Sequence, residues 1–198
     1  MVLNEILFIT HPEVVIDPVP DWPLSDVGRA RMDAFAVDVS DRLIAAVYCS
    51  DERKSRDGGE ILAHRFGLEA QVRAGLAEHD RASTGYIAPP EFWQVVSEFF
   101  DRPDESIRGW TPARQAQAKI LGAVEALKAE VKTPGTILIV SHGGVGRLLR
   151  AHVEGVEIGK EDRPSHPCGG CYFPLDRHNL APLARWRPIE GYGVAGHA

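Results

Sequence analysis

Cysteine is scarce: Cys49, Cys168 and Cys171 are the only three in 198 residues. So low and odd a count excludes a disulfide framework and leads us to expect a reducing cytoplasm. No apolar run approaches the roughly 18 residues that a membrane-crossing helix needs. The opening Met1-Val2-Leu3-Asn4-Glu5 has neither the basic segment nor the apolar stretch of a secretory leader. Basic charge is also short: 22 Lys and Arg stand against 28 Asp and Glu, a net charge of −6. That excludes a general nucleic-acid binder, which carries a broad basic face. It leaves room for one small basic pocket. Internal repeats and low-complexity blocks are missing as well. What is present is ordinary globular material, 44% hydrophobic and 25% charged. We expect one domain over 1–198, with a mobile tail after residue 188. A chain of this length buries about 70% of its unfolded surface and needs no disulfide or metal to hold it.

Apolar runs punctuate the chain. Residues 6–9, 44–49 and 136–140 read as buried strands. Between them lie segments of helical period. Ser25 can cap a helix of about 15 residues whose apolar side includes Val27, Ala30, Ala34 and Val37. Ser50 can cap the next, and a short strand follows near 70–73. Residues 91–100 read as a helix with Phe92, Val95, Val96, Phe99 and Phe100 inward. Thr111-Pro112 marks a further start: a capping hydroxyl, then proline at the first helical position. Its apolar positions run from Ala116 to Val131, and Thr133-Pro134-Gly135 stops it. A last helix runs from Val145 to about Val153, and late strands are expected near 170–175 and 181–187. Alternating strands and helices predict a three-layer α/β/α domain with a largely parallel central sheet. In such sheets the site lies beyond the carboxyl ends of the strands. His11, Ser50 and His142 each follow a buried strand directly, so parallel strands would gather all three on one edge.

Five segments in order give this pattern a chemical meaning. They are Thr10-His11-Pro12, Pro23-Leu24-Ser25-Asp26-Val27-Gly28-Arg29, Cys49-Ser50-Asp51-Glu52-Arg53-Lys54, Leu76-Ala77-Glu78-His79 and Val140-Ser141-His142-Gly143-Gly144. Together, over about residues 5–175, they make the chain resemble the histidine phosphatase superfamily, with its phosphoglycerate mutase-like fold. The resemblance implies a metal-independent phosphomonoesterase that works through a phosphohistidine, on a small phosphorylated substrate and without a cofactor. His11 would be the nucleophile, His142 a second catalytic histidine and Glu78 the proton donor. The phosphate would be held by Lys54, Ser50, Thr10 and Gly143, with Arg53 and Arg81 as further cations. The chemistry suits the residue types. A neutral imidazole can attack phosphorus, and cations and helix N-terminal amides can hold the phosphoryl oxygens. The amides of Gly143 and Gly144 are the expected anion site.

The departures from the family pattern are concentrated in the pocket. Thr10 stands where the family has an arginine, Lys54 replaces a second arginine, and Pro12 replaces a glycine. Lysine lacks the bidentate fork that arginine offers phosphate. These losses predict slow turnover on generic substrates. They also keep open a degenerate module that binds an anionic ligand without turnover, and a phosphoglycerate mutase-like phosphotransferase. Trp22, Tyr86, Trp93 and Trp110 are candidates for an apolar pocket or for the core. Cys168-Gly169-Gly170-Cys171 lacks the second pair that a zinc site needs, and reads as small residues packed near the active-site loop. No segment specifies an oligomeric state.

Overall fold

The computed structural model describes residues 3–17, 21–164, 166 and 169–190. Its centre is a six-stranded sheet in the order β3-β2-β4-β1-β5-β6. The strands are β1 Glu5–Thr10, β2 Ile44–Cys49, β3 Ala70–Val72, β4 Thr136–Ser141, β5 Cys171–Asp176 and β6 Arg187–Pro188. The first four of these run parallel to one another; β5 and β6 are antiparallel additions on one edge. Between them come α1 Asp26–Asp38, α2 Arg53–Arg65, α3 Glu91–Asp101, α4 Ala113–Glu130 and α5 Gly143–Glu154.

Strand alternation explains the layering. Ile6 and Phe8 point to the face covered by α4 and α5, where they meet Ile120, Val124, Leu127 and Leu149. Leu7 and Ile9 point to the other face, where Met32, Phe35 and Leu62 of α1 and α2 cover them. Both faces are thus buried, which is why β1 and β4 read as unbroken apolar runs. A third cluster packs α3 against the start of α4 and encloses Trp110. No helix among the described residues is long and apolar enough to cross a membrane.

The details depart from the sequence expectations at the helix ends and on one face. Ser25 does cap α1, its hydroxyl accepting from the Gly28 amide at 3.0 Å. The buried face, however, is Gly28, Met32, Phe35 and Ala36, not Val27, Ala30, Ala34 and Val37, all of which are exposed. Gly28 sets that rotation, because a Cβ there would lie 2.2 Å from the Glu13 carbonyl oxygen. Burying Met and Phe also removes more apolar area than burying two alanines would. In α2 the capping position falls on Glu52, not Ser50, whose hydroxyl turns to His142 instead. In α4 it falls on Pro112, because the Thr111 amide is held by the Asp80 carbonyl at 3.1 Å. Helix α5 begins at Gly143, two residues before the expected start. Phe92 and Val96 are only partly buried. The strand expected at 181–187 shrinks to the two residues of β6 and a Leu175–Pro182 bridge. The expected mobile tail falls, apart from Ile189 and Glu190, on residues 191–198, which lie outside the described residues.

A Gly28→Ala substitution should cost about 1–3 kcal/mol through overpacking against Glu13. Urea unfolding should show a lower midpoint with an unchanged slope.

Candidate active site

Parallel register gathers the expected residues. Thr10 lies opposite Ser141, and Cys49 opposite Val140. The residues that follow, His11, Ser50 and His142, therefore emerge side by side at the carboxyl edge. The His11 amide donates to the Ser141 carbonyl at 3.0 Å and the Ser50 amide to the Val140 carbonyl at 3.3 Å. The two histidine rings meet edge to face with centroids 5.3 Å apart. Nδ1 of His11 lies 2.9 Å from the Pro12 carbonyl. A carbonyl only accepts, so Nδ1 carries the proton and Nε2 keeps its lone pair. Burial, with His142 and Lys54 adding to it, lowers the His11 pKa to about 3, so the ring is neutral at physiological pH.

His142 is 1% exposed. Its Nε2 lies 2.8 Å from the Ser50 hydroxyl and 3.1 Å from Glu52 Oε1, while its Nδ1 is buried without a partner. Burial lowers its pKa despite the opposing attraction of Glu52 and Glu78. Glu52 lies inside the serine motif but was not among the expected site residues. Its Oε2 accepts from Lys54 Nζ at 2.6 Å, and its Oε1 accepts from the Glu78 amide at 2.8 Å. Burial raises its pKa, but His142 and Lys54 outweigh burial and leave it below the ordinary carboxylate value. Only its place at the start of α2, two residues after Ser50, could have flagged it in the sequence. Lys54 itself is buried and stands over the Trp22 ring at 5.6 Å.

Glu78 reaches the site and also caps a helix there. Its Oε2 accepts from the Gly144 amide at 3.0 Å and its Oε1 from the Val145 amide at 2.9 Å. The carboxylate therefore sits on the N-terminus of α5, where the helix dipole favours a negative charge. The fit requires glycine at 144, since a Cβ there would lie 2.6 Å from Oε1. Burial pushes its pKa up, but a hydrogen bond from His79 and the nearby Arg81 charge help carry it well below the usual value. In this arrangement Glu78 caps the helix, and its lowered pKa favours the ionised form. It also occupies the amide of Gly144, expected to bind phosphate; of that pair, Gly143 has no such bond to Glu78.

The other expected phosphate ligands divide. Thr10 faces the sheet seam: its hydroxyl donates to the Cys171 carbonyl at 3.2 Å and accepts from the Cys171 amide at 2.9 Å. Its single proton is thus already engaged, and we remove it from the ligand set. Arg53, the first residue of α2, is exposed. Arg147 pairs with the buried Glu161, away from the site. Arg81 remains. It packs over Phe92 and Trp110, 5.5 and 5.6 Å from their centroids, and its charge acts on both Glu78 and His142. Of the candidate aromatics, Trp110 is core at 1% exposed, and Trp93 is largely exposed. Trp22 and Tyr86 form an edge-to-face pair at 6.0 Å beside Lys54. Cys171 is buried in β5 with its thiol pushed up by burial, and Cys168 lies outside the described residues. Burial raises the nearby Cys49 thiol to about 11, so it is no competing nucleophile.

The family model of the histidine phosphatase superfamily (branch 1) matches residues 12–178. The chain belongs to this superfamily. The fold agrees. A mycobacterial glucosyl-3-phosphoglycerate phosphatase superposes with a TM-score of 0.69 at 19% identity, over 93% of this chain and 96% of its own. YhfR of Bacillus stearothermophilus gives 0.75 at 18% identity, over 91% and 94%. A putative alpha-ribazole-5'-P phosphatase of Escherichia coli gives 0.70 at 18% identity, over 96% and 97%. No curated protein matches by sequence. The matched span includes His142 and begins one residue after His11.

Replacing Glu78 by Gln should destabilise the fold by about 1–2 kcal/mol, through the lost charge at the α5 terminus. Because the Glu78 pKa is depressed in the folded state, its contribution is present above the unfolded value near 4.5 and is lost as pH falls below it. Thermal melts of both proteins should therefore differ at neutral pH and converge in acid.

Proposed function

We propose that this protein is a metal-independent phosphomonoesterase that forms a phosphohistidine on His11. The observation that carries the reading is the state of that ring: Nδ1 donates to Pro12, the imidazole is neutral, and Nε2 is free to attack. In the first step Nε2 bonds to phosphorus while the ester oxygen departs with its electron pair. In the second, water displaces the histidine and inorganic phosphate leaves. Lys54, Arg81, Ser50 and the Gly143 amide are the groups available to the phosphoryl oxygens, with His142 beside them. Glu78, as an anion, suits the part of base toward the attacking water better than that of acid toward the leaving group. The mycobacterial glucosyl-3-phosphoglycerate phosphatase was solved with inorganic phosphate and with VO3, which supports a small phosphorylated substrate here.

Turnover on generic esters should be slow. Lys54 is tied to Glu52, and Glu78 holds two amides at the α5 terminus. Both features weaken the grip on a dianion. The same features favour, as a second reading, a module that holds an anion without turnover.

A panel of phosphomonoesters should show hydrolysis that is insensitive to chelators and abolished in His11→Ala. Turnover that survives this substitution unchanged would overturn the histidine-nucleophile mechanism. Binding without turnover across the panel would favour the second reading. Arg81→Ala should lower kcat/KM by about 10–100-fold, the value of one charge-assisted hydrogen bond.

The pH dependence of stability should carry the mark of His11. Its pKa is near 6.5 unfolded and about 3 folded, so the unfolded state binds the extra proton between those values. Stability therefore falls as pH drops below about 6.5. Part of the ring faces the open pocket, so we expect a loss of about 1–2 kcal/mol by about pH 5. His11→Gln should flatten that slope in denaturant titrations.

A further inference from the structure

We infer that Glu52 is a positioning residue that makes His142 accept a proton when a phosphoryl group binds. The inference rests on the phosphatase reading for its biological use, but not for its test.

The Glu52 carboxylate biases the tautomer of His142. Its Oε1 lies 3.1 Å from Nε2, where a lone pair would face the anion. The pair therefore favours the proton on Nε2, with the Ser50 hydroxyl at 2.8 Å as its acceptor. Nδ1 is left as a bare lone pair, buried and without a partner. An unpartnered buried acceptor in a site built for an oxyanion is costly, and a bare lone pair facing a phosphate dianion is repulsive. The conflict disappears if one proton lies between Nδ1 and a phosphoryl oxygen. That proton comes with a monoanionic ester, or from solvent when the ester is a dianion. Once it is there, the ring is an imidazolium, and the Glu52 carboxylate on its far side holds the charge.

The groups facing His142 leave few other sources of such a proton. They are His11 at the end of β1, Glu52 and Lys54 at the start of α2, and Glu78 and Arg81 in the segment before α3. His11 is neutral, with Nδ1 tied to Pro12. Both carboxylates are ionised. Glu52 is itself held in place from two sides, by Lys54 on Oε2 and by the Glu78 amide on Oε1. Its carboxylate cannot swing away from Nε2 without breaking both bonds.

The probe is inorganic phosphate, titrated calorimetrically into the full chain in buffers of different ionisation enthalpy. At about pH 8, where phosphate is mostly a dianion, the wild type should take up close to one proton on binding. At about pH 6, where the monoanion supplies it, uptake should largely vanish. Glu52→Gln should lose most of the uptake at the higher pH and bind about tenfold or more weakly there, with little change at the lower pH. Equal uptake in the two proteins would overturn the proposal, as would a weakening that is even across pH or a failure of phosphate to bind at all. If Glu52→Gln does not fold, nitrogen-15 NMR of the wild-type His142 ring decides the matter. Nε2 should be protonated in the free protein, and both nitrogens in the phosphate complex; a bare Nδ1 in the complex would overturn the inference. Proton uptake without ester turnover would sink the phosphatase reading alone. Turnover without Glu52-dependent uptake would sink this inference alone.

Discussion

The carboxylate of Glu78 on the first amides of α5 is the contact through which the pocket is assembled. It joins the segment after β3 to the helix that follows β4, two parts of the chain more than sixty residues apart. Because Glu78 is anchored there, its own amide is presented to Glu52, which is thereby fixed against His142 and Lys54. A chain of polar contacts thus runs from the α5 terminus to His142. Each link involves a carboxylate, Glu78 at 10% exposed and Glu52 at 31%, and charge-assisted contacts of this kind are the strong ones.

That chain sets the electrostatic character of the site. Lys54 and Arg81 contribute two positive charges, and Glu52 and Glu78 cancel them. A phosphoryl-transfer pocket usually confronts its substrate with surplus positive charge. Here the resting pocket is close to neutral, and the helix terminus that often receives an anion already holds one. Burial favours the neutral form of both histidines; Nδ1 of His11 donates to the Pro12 carbonyl, and Nε2 of His142 lies beside Ser50 and Glu52. The site is organised around where protons sit rather than around accumulated positive charge. Lys54 fits this organisation, because a compact ammonium can serve Glu52 and remain beside the pocket. Trp22 packs against the same ammonium and, with Tyr86, forms the adjacent wall.

Much of this architecture is legible in the order of residues along the chain. The apolar runs of β1, β2 and β4 announce buried parallel strands, since only a strand covered on both faces can be apolar at every position. The histidine or serine that ends each run places three site residues on one edge from sequence position alone. Ser25 announces the start of α1 through its local hydrogen bond. The motifs around His11, His142 and Lys54 are of this kind, each defined within a few residues of sequence and a strand end.

Other features depended on contacts between distant segments. Which side of α1 is buried was decided by the Glu13 carbonyl pressing on Gly28, so the periodic valines and alanines that suggested the opposite face lie in water. Thr10 adjoins His11 in the sequence, yet its hydroxyl is held by the backbone of β5, 161 residues away. Glu78 reads as a proton donor in the sequence, which does not show the two amides of α5 that it also caps. Glu52 has the sequence character of an exposed helix-start carboxylate, yet Lys54, His142 and the Glu78 amide close around it. By itself the sequence determined the strands, their order of chemistry and the histidine pair, because apolar period and strand-end position are local properties. Only the tertiary structure decided which carboxylates are charged, which cations are free and which nitrogens carry protons, because protonation depends on burial and on neighbours that only folding brings together.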